Sequence, residues 1–285
     1  MKLIYSLFVA FLCHSLAFSQ TPINLNAHAG NINYVSFSPD ATKFASAGED
    51  GNIYIWNPGT GDKINTISVT GNITCTKYSP DGKYIGVTTY EGNNYLLDAE
   101  SGAVLQRLVS RPNSYGICFS TTRGCFAVNY FTITDEYKKN ILGSTSQVKV
   151  YHFKADVYQA GNYSRPQEIN IFDEEKSNLT FILGQNVVES YRTNLFTCRL
   201  SDNGEYLFSS LPDGNVSEIN LKTKKVTTIS TNHKNRVNYI EFSPDRTIFA
   251  SAGKDEVVKV KNRIGNPNTR TLSNHTGDIC SIDFS

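Results

Sequence analysis

One stretch of this chain is written twice. Residues 33–50, NYVSFSPDATKFASAGED, recur at 238–255 as NYIEFSPDRTIFASAGKD. Looser copies run CTKYSPDGKYIGVTTYE at 75–91 and TCRLSDNGEYLFSSLPD at 197–213. From Pro39-Asp40 to Pro80-Asp81 the step is 41 residues, and the ungapped alignment places Gly61 on Gly102 and Trp56-Asn57 on Leu97-Asp98. The spacing His-x8-Phe-Ser recurs three times, from His28 to Ser38, His233 to Ser243 and His275 to Ser285. A repeat of this length is one supersecondary unit that cannot bury its apolar face alone, so neighbouring units must stack on one another.

Inside each unit the apolar residues alternate over short runs, as in Val35 and Phe37 or Ile53 and Ile55. Period two predicts half-buried strands. Each unit reads as a strand, a Pro-Asp turn, a strand, an Asp-Gly-type turn, a third strand, and a Thr-Gly or Ser-Gly turn into a fourth. The turns follow from local chemistry: Pro pre-sets φ, and Asp and Gly tolerate tight geometry. Sixteen Tyr and sixteen Phe among the 285 residues also favour strands over helices. The fold class expected is all-β, built of four-stranded antiparallel units.

A 40–45-residue repeat of four short strands resembles the WD40 family of β-propellers. In that family a His, a Ser or Thr, an Asp and a Trp of one blade form a buried hydrogen-bonded tetrad. His28, Ser46, Asp50 and Trp56 supply all four, at intervals of 18, 4 and 6. His233, Ser251 and Asp255 reproduce the first two intervals, with Lys261 at the Trp position. Ser209 and Asp213 keep the middle pair, between Tyr191 and Ile219. The second repeat has Val69, Val87, Glu91 and Leu97, so packing must replace its tetrad. Five repeats plus a partial one are expected, at about 21–68, 69–109, 110–172, 187–230, 231–272 and 273–285, making 20–285 one propeller domain. Family propellers close by letting an N-terminal strand complete the last blade. Residues 21–27 would be that strand and 278–284 its partner, which predicts an open, incomplete ring or a two-stranded last blade.

The third repeat departs from the cadence. It starts at Tyr115-Gly116-Ile117-Cys118-Phe119, and its third strand is expected at Val148–Tyr151, about 13 residues late. The polar excess, TITDEYKKNILGSTSQ at 132–147, then joins strands two and three. QEINIF (167–172) reads as the closing fourth strand, and LTFILG (179–184) and VVESY (187–191) as strand-like pieces of an irregular excursion between blades. This insertion, the cadence at 232–260 and the leader TPINLNAH are similar to the i subunit of eukaryotic translation initiation factor three. That resemblance implies a cytoplasmic, non-catalytic scaffold within a multi-subunit complex that supports translation initiation.

Catalytic motifs give no rival. Ser, His and Asp at a repeated spacing suggest a hydrolase triad, but a triad occurs once and needs an exposed nucleophile; a set that recurs with the repeat is structural. The sequence holds no G-x-S-x-G, H-E-x-x-H or P-loop, and Gly59-Thr60-Gly61 is a turn. Three of five His are repeat landmarks, which leaves His152 isolated and His14 in the leader, so no metal site and no cofactor are expected. A net charge of +1 argues against strong direct nucleic-acid binding. Protein partners are expected at the loops before each first strand and between strands two and three. The residues placed there are Asn31, Glu49, Asn72, Tyr90, Asn113, Arg192, Asn235, Arg236 and Lys254.

The two ends of the chain add a second reading. Residues 1–19 have a Lys2 n-region, an apolar run from Leu3 to Phe18 and small residues at Ala17 and Ser19, the pattern of a secretory signal and too short for a transmembrane anchor. A secreted or lumenal propeller binding a protein or glycan is the alternative that this segment raises. The last residues, CSIDFS, read as the first strand of another repeat, as if the chain were truncated at Ser285. Six Cys are scattered without a CxxC; Cys118 and Cys125 flank a hairpin turn and fit either a disulfide or reduced core thiols.

Overall fold

The computed structural model describes residues 24–139, 145–177, 197–211, 213–243, 247–262 and 269–284. The leader 1–19, the strand-like pieces at 179–191 and Arg192 lie outside them. Five four-stranded antiparallel sheets follow one another along the chain, and the described residues contain no helix. The first sheet joins β1 (Ile32–Phe37), β2 (Phe44–Gly48), β3 (Asn52–Trp56) and β4 (Lys63–Ser68). The second joins β5 (Ile73–Tyr78), β6 (Tyr84–Thr89), β7 (Tyr95–Asp98) and β8 (Val104–Arg107). The third is built of β9 (Ser114–Phe119), β10 (Phe126–Lys139), β11 (Thr145–Gln159) and β12 (Asn162–Ser177). The fourth has β13 (Cys198–Leu200), β14 (Tyr206–Ser210), β15 (Val216–Asn220) and β16 (Val226–Ile229). The fifth has β17 (Val237–Phe242), β18 (Ile248–Gly253), β19 (Val258–Asn262) and β20 (Thr269–Leu272).

Every sheet is a meander with its strands in chain order, which is a propeller blade. The two inner faces of successive blades form the core, so the alternating residues on both sides of a middle strand are buried. Ile53, Ile55, Ile85, Val87 and Leu97, for example, pack together between the first two blades. A second device ties blades together. Near the start of an inner strand, a short polar side chain donates to a backbone carbonyl on the next inner strand. Asn33 donates to Ile73 O at 2.8 Å, and Thr74 to Ser114 O at 2.7 Å. Thr197 donates to Asn238 O at 3.1 Å, and Asn238 donates in the same way to Ile279 O at 3.0 Å, in the strandless segment that follows the fifth blade.

Among the described residues the ring is open. No sheet there links the fifth blade to the first, and the two meet at the phenol oxygens of Tyr34 and Tyr239, 3.3 Å apart. Ile32, Val35 and Phe37 on β1 are each about half exposed. Their repeat equivalents on β17, Val237, Ile240 and Phe242, are 0%, 0% and 6% exposed, because the preceding blade covers them, with the Phe208 ring edge-on to Phe242 at 4.8 Å. The two-stranded last blade does not form among the described residues. Residues 24–31 and 273–284 carry no strand. A strand needs a hydrogen-bonded neighbour, and 278–284 instead lie against the face of the fifth blade, where Ile279, Ile282 and Phe284 pack on Tyr239, Ala250 and Val258.

The third blade corrects two expectations. The blade's third strand is Lys154–Tyr158, paired with Phe126–Tyr130, and not Val148–Tyr151. Val148–Tyr151 sits opposite Ile133–Glu136, past the end of β9. The described part of the polar excess is therefore strand, not loop, and QEINIF (167–172), expected as the closing fourth strand, lies within the longer β12. Continuing the hairpin ladder satisfies the backbone polar groups that a long loop would leave to water. Phe131 and Phe153, with ring centroids 5.8 Å apart, carry the apolar core into the base of this three-stranded arm.

Turn geometry supplies one stability prediction. The turn between strands two and three places Gly51, Gly92 and Gly214 at φ of 71°, 86° and 83°. At the equivalent position of the fifth blade stands Glu256, exposed and with φ of 65°. A left-handed L-residue costs about 1–2 kcal/mol, and the flexibility Gly adds to the unfolded chain returns roughly half of that. Glu256→Gly is expected to stabilise the chain by about 0.5 kcal/mol, read as a rise in the denaturant midpoint at unchanged m-value.

Candidate functional site: blade tetrads and an interaction rim

In the first blade, Trp56 Nε1 donates to Ser46 Oγ at 2.8 Å, and Ser46 Oγ lies 2.8 Å from His28 Nε2. His28 Nδ1 is 3.0 Å from Asp50 Oδ1, and Asp50 Oδ2 accepts the Ala29 amide at 3.0 Å. The network assigns each proton: with the indole donating to Ser46, the hydroxyl donates to Nε2, which leaves Nδ1–H for the carboxylate. The fifth blade repeats it, with His233 Nε2 2.9 Å from Ser251 Oγ and Nδ1 2.8 Å from Asp255 Oδ1. Lys261 occupies the Trp position and points its ammonium at Ser230 O, 3.3 Å away. Burial pushes Asp50 and Asp255 up, but their amide and imidazole donors outweigh it and hold both carboxyls below the usual range. Ser46 and Ser251 are buried within their sheets and face no cleft, so these sets fasten loops to blades.

The other blades fasten the same loop differently. Glu91, at the Asp position of the second blade, is one methylene longer and accepts from the Asn72 amide at 2.8 Å. In the third blade Arg111 reaches into the sheet, with Nε 2.7 Å from Asp156 Oδ2 and Nη2 3.3 Å from Glu168 Oε2. Tyr130 donates to Glu168 at 2.8 Å beneath the Arg111 guanidinium, and Lys154 pairs with Glu168 at 2.9 Å. Lys154 and Tyr130 hold Glu168 below its ordinary range. Sequence reasoning missed this cluster, because its acids stand on two strands, β11 and β12, whose register the insertion had displaced. In the fourth blade Ser209 and Asp213 do not meet: Asp213 accepts from the Asn215 amide at 3.0 Å, and Ser209 Oγ lies 3.4 Å from Ser210 O.

Six of the nine residues placed on the rim come together in pairs 18 positions apart. The Glu49 amide donates to Asn31 O at 3.0 Å, Tyr90 to Asn72 O at 2.9 Å, and Lys254 to Arg236 O at 3.0 Å. Phe131 donates to Asn113 O at 3.4 Å, a fourth pair that the sequence reading half contained. Each clasp joins the residue before an inner strand to the residue after its neighbour, so these side chains share one end of the propeller. Asn31, Glu49, Asn235 and Lys254 are exposed, and Asn31 donates its amide to Glu49 at 3.1 Å. Among the described residues no group of His, Cys, Asp or Glu is arranged to hold a metal ion. No helix among them is long and apolar enough to cross a membrane.

The family model "WD domain, G-beta repeat" matches residues 16–57 and 223–260. Subunit I of eukaryotic translation initiation factor 3 from the yeast Vanderwaltozyma polyspora is 30% identical over 120 residues, which cover 42% of this chain. The match spans only 33% of that curated relative's length. Among solved structures, the β-propeller domain of Myceliophteria thermophila Cps50 (Swd1) superposes with a TM-score of 0.57 at 13% identity, over 87% of this chain and 74% of that one. That likeness is one of fold. WD40 propellers are typically non-catalytic scaffolds for protein–protein interaction. Repeat, tetrad, blade and family model agree: the chain folds as a β-propeller, two of its stretches match the WD40 repeat, and one stretch weakly resembles the i subunit of translation initiation factor 3.

Proposed function

We propose that this chain is a non-catalytic subunit of a multi-protein assembly of the translation-initiation kind, docking its partners by the propeller rim and the arm of the third blade. The observation that carries the reading is the stretch of 120 residues 30% identical to an initiation-factor subunit. Supporting it, three strands of the third blade continue past the end of β9 as a hydrogen-bonded arm, a rigid platform outside the ring. Residues with direct roles are Asn31, Glu49, Asn72, Tyr90, Asn113, Arg192, Asn235, Arg236 and Lys254, and the tetrads keep their loops in place.

The test is affinity capture of the tagged chain from its native cells, with quantitative mass spectrometry of what is retained. Initiation-factor subunits in stoichiometric amounts are expected, and their recovery should fall at least tenfold when Asn31, Asn235 and Arg236 are changed together to Ala. A chain recovered as a monomer overturns the reading. The signal-like residues 1–19 motivate the secreted alternative, and a mature N-terminus near Gln20 in a secretory fraction would establish it in place of the first.

A further inference from the structure

The third and fourth blades touch through sulfur. Cys118 on β9 and Cys198 on β13 stand 80 positions apart in the chain, with their Sγ atoms 3.4 Å from each other. They are 1% and 2% exposed, and both are free thiols. β9 and β13 are the inner strands of successive blades, so the two side chains meet at the interface those blades share. An S–S bond measures about 2.05 Å, so closing this gap takes a shift of roughly 1.4 Å, within the reach of a χ1 adjustment. The partner suggested by sequence proximity is engaged elsewhere: Cys125 Sγ lies 3.1 Å from Ser120 Oγ.

The surroundings distinguish the two sulfurs. Burial pushes the Cys118 thiol up, but the hydrogen bond from Cys198 and the charges of Arg199 and Lys77 outweigh it and bring it below its ordinary value. Cys198, which also lies within 3.5 Å of the acceptor Asn129 Oδ1, is pushed up by its hydrogen bond with Cys118 and then by burial. That difference belongs to the closed interface; the attacking species in thiol–disulfide exchange is a thiolate, which either cysteine supplies before the blades close.

We propose that Cys118 and Cys198 form an inter-blade disulfide when the chain folds in the presence of a low-molecular-weight disulfide such as glutathione disulfide. The thiolate of one of the two cysteines attacks one glutathione sulfur, the glutathione S–S bond breaks, and the departing thiolate takes up a proton. The other cysteine then gives up its proton and attacks the glutathione-linked protein sulfur, and the second glutathione leaves as its thiol. The two protein thiols lose two electrons, and one small disulfide becomes two thiols. Because both sulfurs are enclosed in the folded chain, the exchange takes place before the third and fourth blades close on each other. The bond spans the whole connection between these blades and turns it into a covalent loop.

The experiment is refolding of the reduced, full-length chain in a glutathione disulfide and glutathione buffer, followed by alkylation and peptide mapping without reduction. The expected product is one linked peptide pair containing Cys118 and Cys198, about 2 Da lighter than the two free peptides together. The pair persists in Cys125→Ala and Cys75→Ala and is lost in Cys198→Ala. The linked protein melts roughly 5–10 °C higher than the same sample in dithiothreitol, as expected for closing a long loop. Exposed Cys280 serves as the internal control, since its glutathione adduct proves that the oxidant acted. Chains that carry this adduct but have Cys118 and Cys198 both alkylated overturn the proposal, and so does a Cys118–Cys125 or Cys75–Cys198 link.

Discussion

Glu241→Ala is expected to cost about 3–5 kcal/mol of folding stability, the usual loss when one partner of a buried ion pair is removed. The charge left behind is Arg199, which is 7% exposed. Its Nη2 donates to Glu241 Oε2 at 2.7 Å and to the Tyr239 hydroxyl at 2.7 Å. Nη1 donates to Cys198 O at 2.9 Å, and the guanidinium carbon sits 4.8 Å from the centre of the Tyr239 ring. Neither the phenol nor the carbonyl neutralises the cation once the carboxylate is gone. Urea or guanidinium midpoints give the magnitude. Replacing both partners with apolar residues, as in Arg199→Met with Glu241→Leu, should recover most of the loss, because no charge is then stranded.

The same pair shapes the acid limb of stability. Burial raises the Glu241 carboxyl, but the Arg199 charge and hydrogen bonds outweigh it and hold it below the ordinary value of about 4.3. A carboxyl depressed by folding contributes stability that is complete above its unfolded pKa and is lost as pH falls through the folded one. Wild-type stability should therefore drop more steeply below about pH 4 than that of Glu241→Ala. Parallel curves would mean that the pair adds nothing to acid sensitivity.

His233→Ala should cost about 2–4 kcal/mol, the sum of a cavity and two stranded polar groups. The His233 side chain is 0% exposed and is the single link between Ser251 and Asp255. Because Asp255 also accepts the Lys234 amide at 2.8 Å, losing the imidazole loosens the loop that carries Asn235 and Arg236. His233→Phe keeps the volume and removes both hydrogen bonds, so the difference between the two variants separates packing from bonding. Thermal or denaturant unfolding of both variants is the measurement. A loss under about 0.5 kcal/mol in His233→Ala, the level of an ordinary surface substitution, would show that the tetrad does not fasten this blade.

What could be read in advance depended on whether the signal was local. The Pro39-Asp40 and Pro80-Asp81 turns, the alternation around Val35 and Ile53, and the 18-residue spacing from His28 to Ser46 each follow from local chain geometry. The four-stranded meander follows from them too. The third blade resisted because Val148–Tyr151 and Lys154–Tyr158 alternate equally well, and only pairing with Phe126–Tyr130 decides between them. The Arg111, Asp156 and Glu168 network was hidden for the same reason, since its members stand 45 and 57 positions apart and share no repeat spacing. The inter-blade donors Asn33, Thr74, Thr197 and Asn238 left a trace at intervals near 41 residues, but Asn and Thr are interchangeable there, and identity alone did not show it.

Those side-chain-to-carbonyl ties have a consequence for how the molecule breathes. Three of them run from one blade to its immediate successor, first to second, second to third and fourth to fifth, and the last runs from the fifth blade to the segment that follows it. A series of units joined in this way behaves as a one-dimensional lattice, whose interior members have two supporting interfaces and whose terminal members have one. Among the described residues the first and fifth blades meet at a pair of phenols, so opening costs least at those two. Local unfolding then travels inward from either side like a zipper, and the covalently lockable joint between the third and fourth blades lies where that motion would stop.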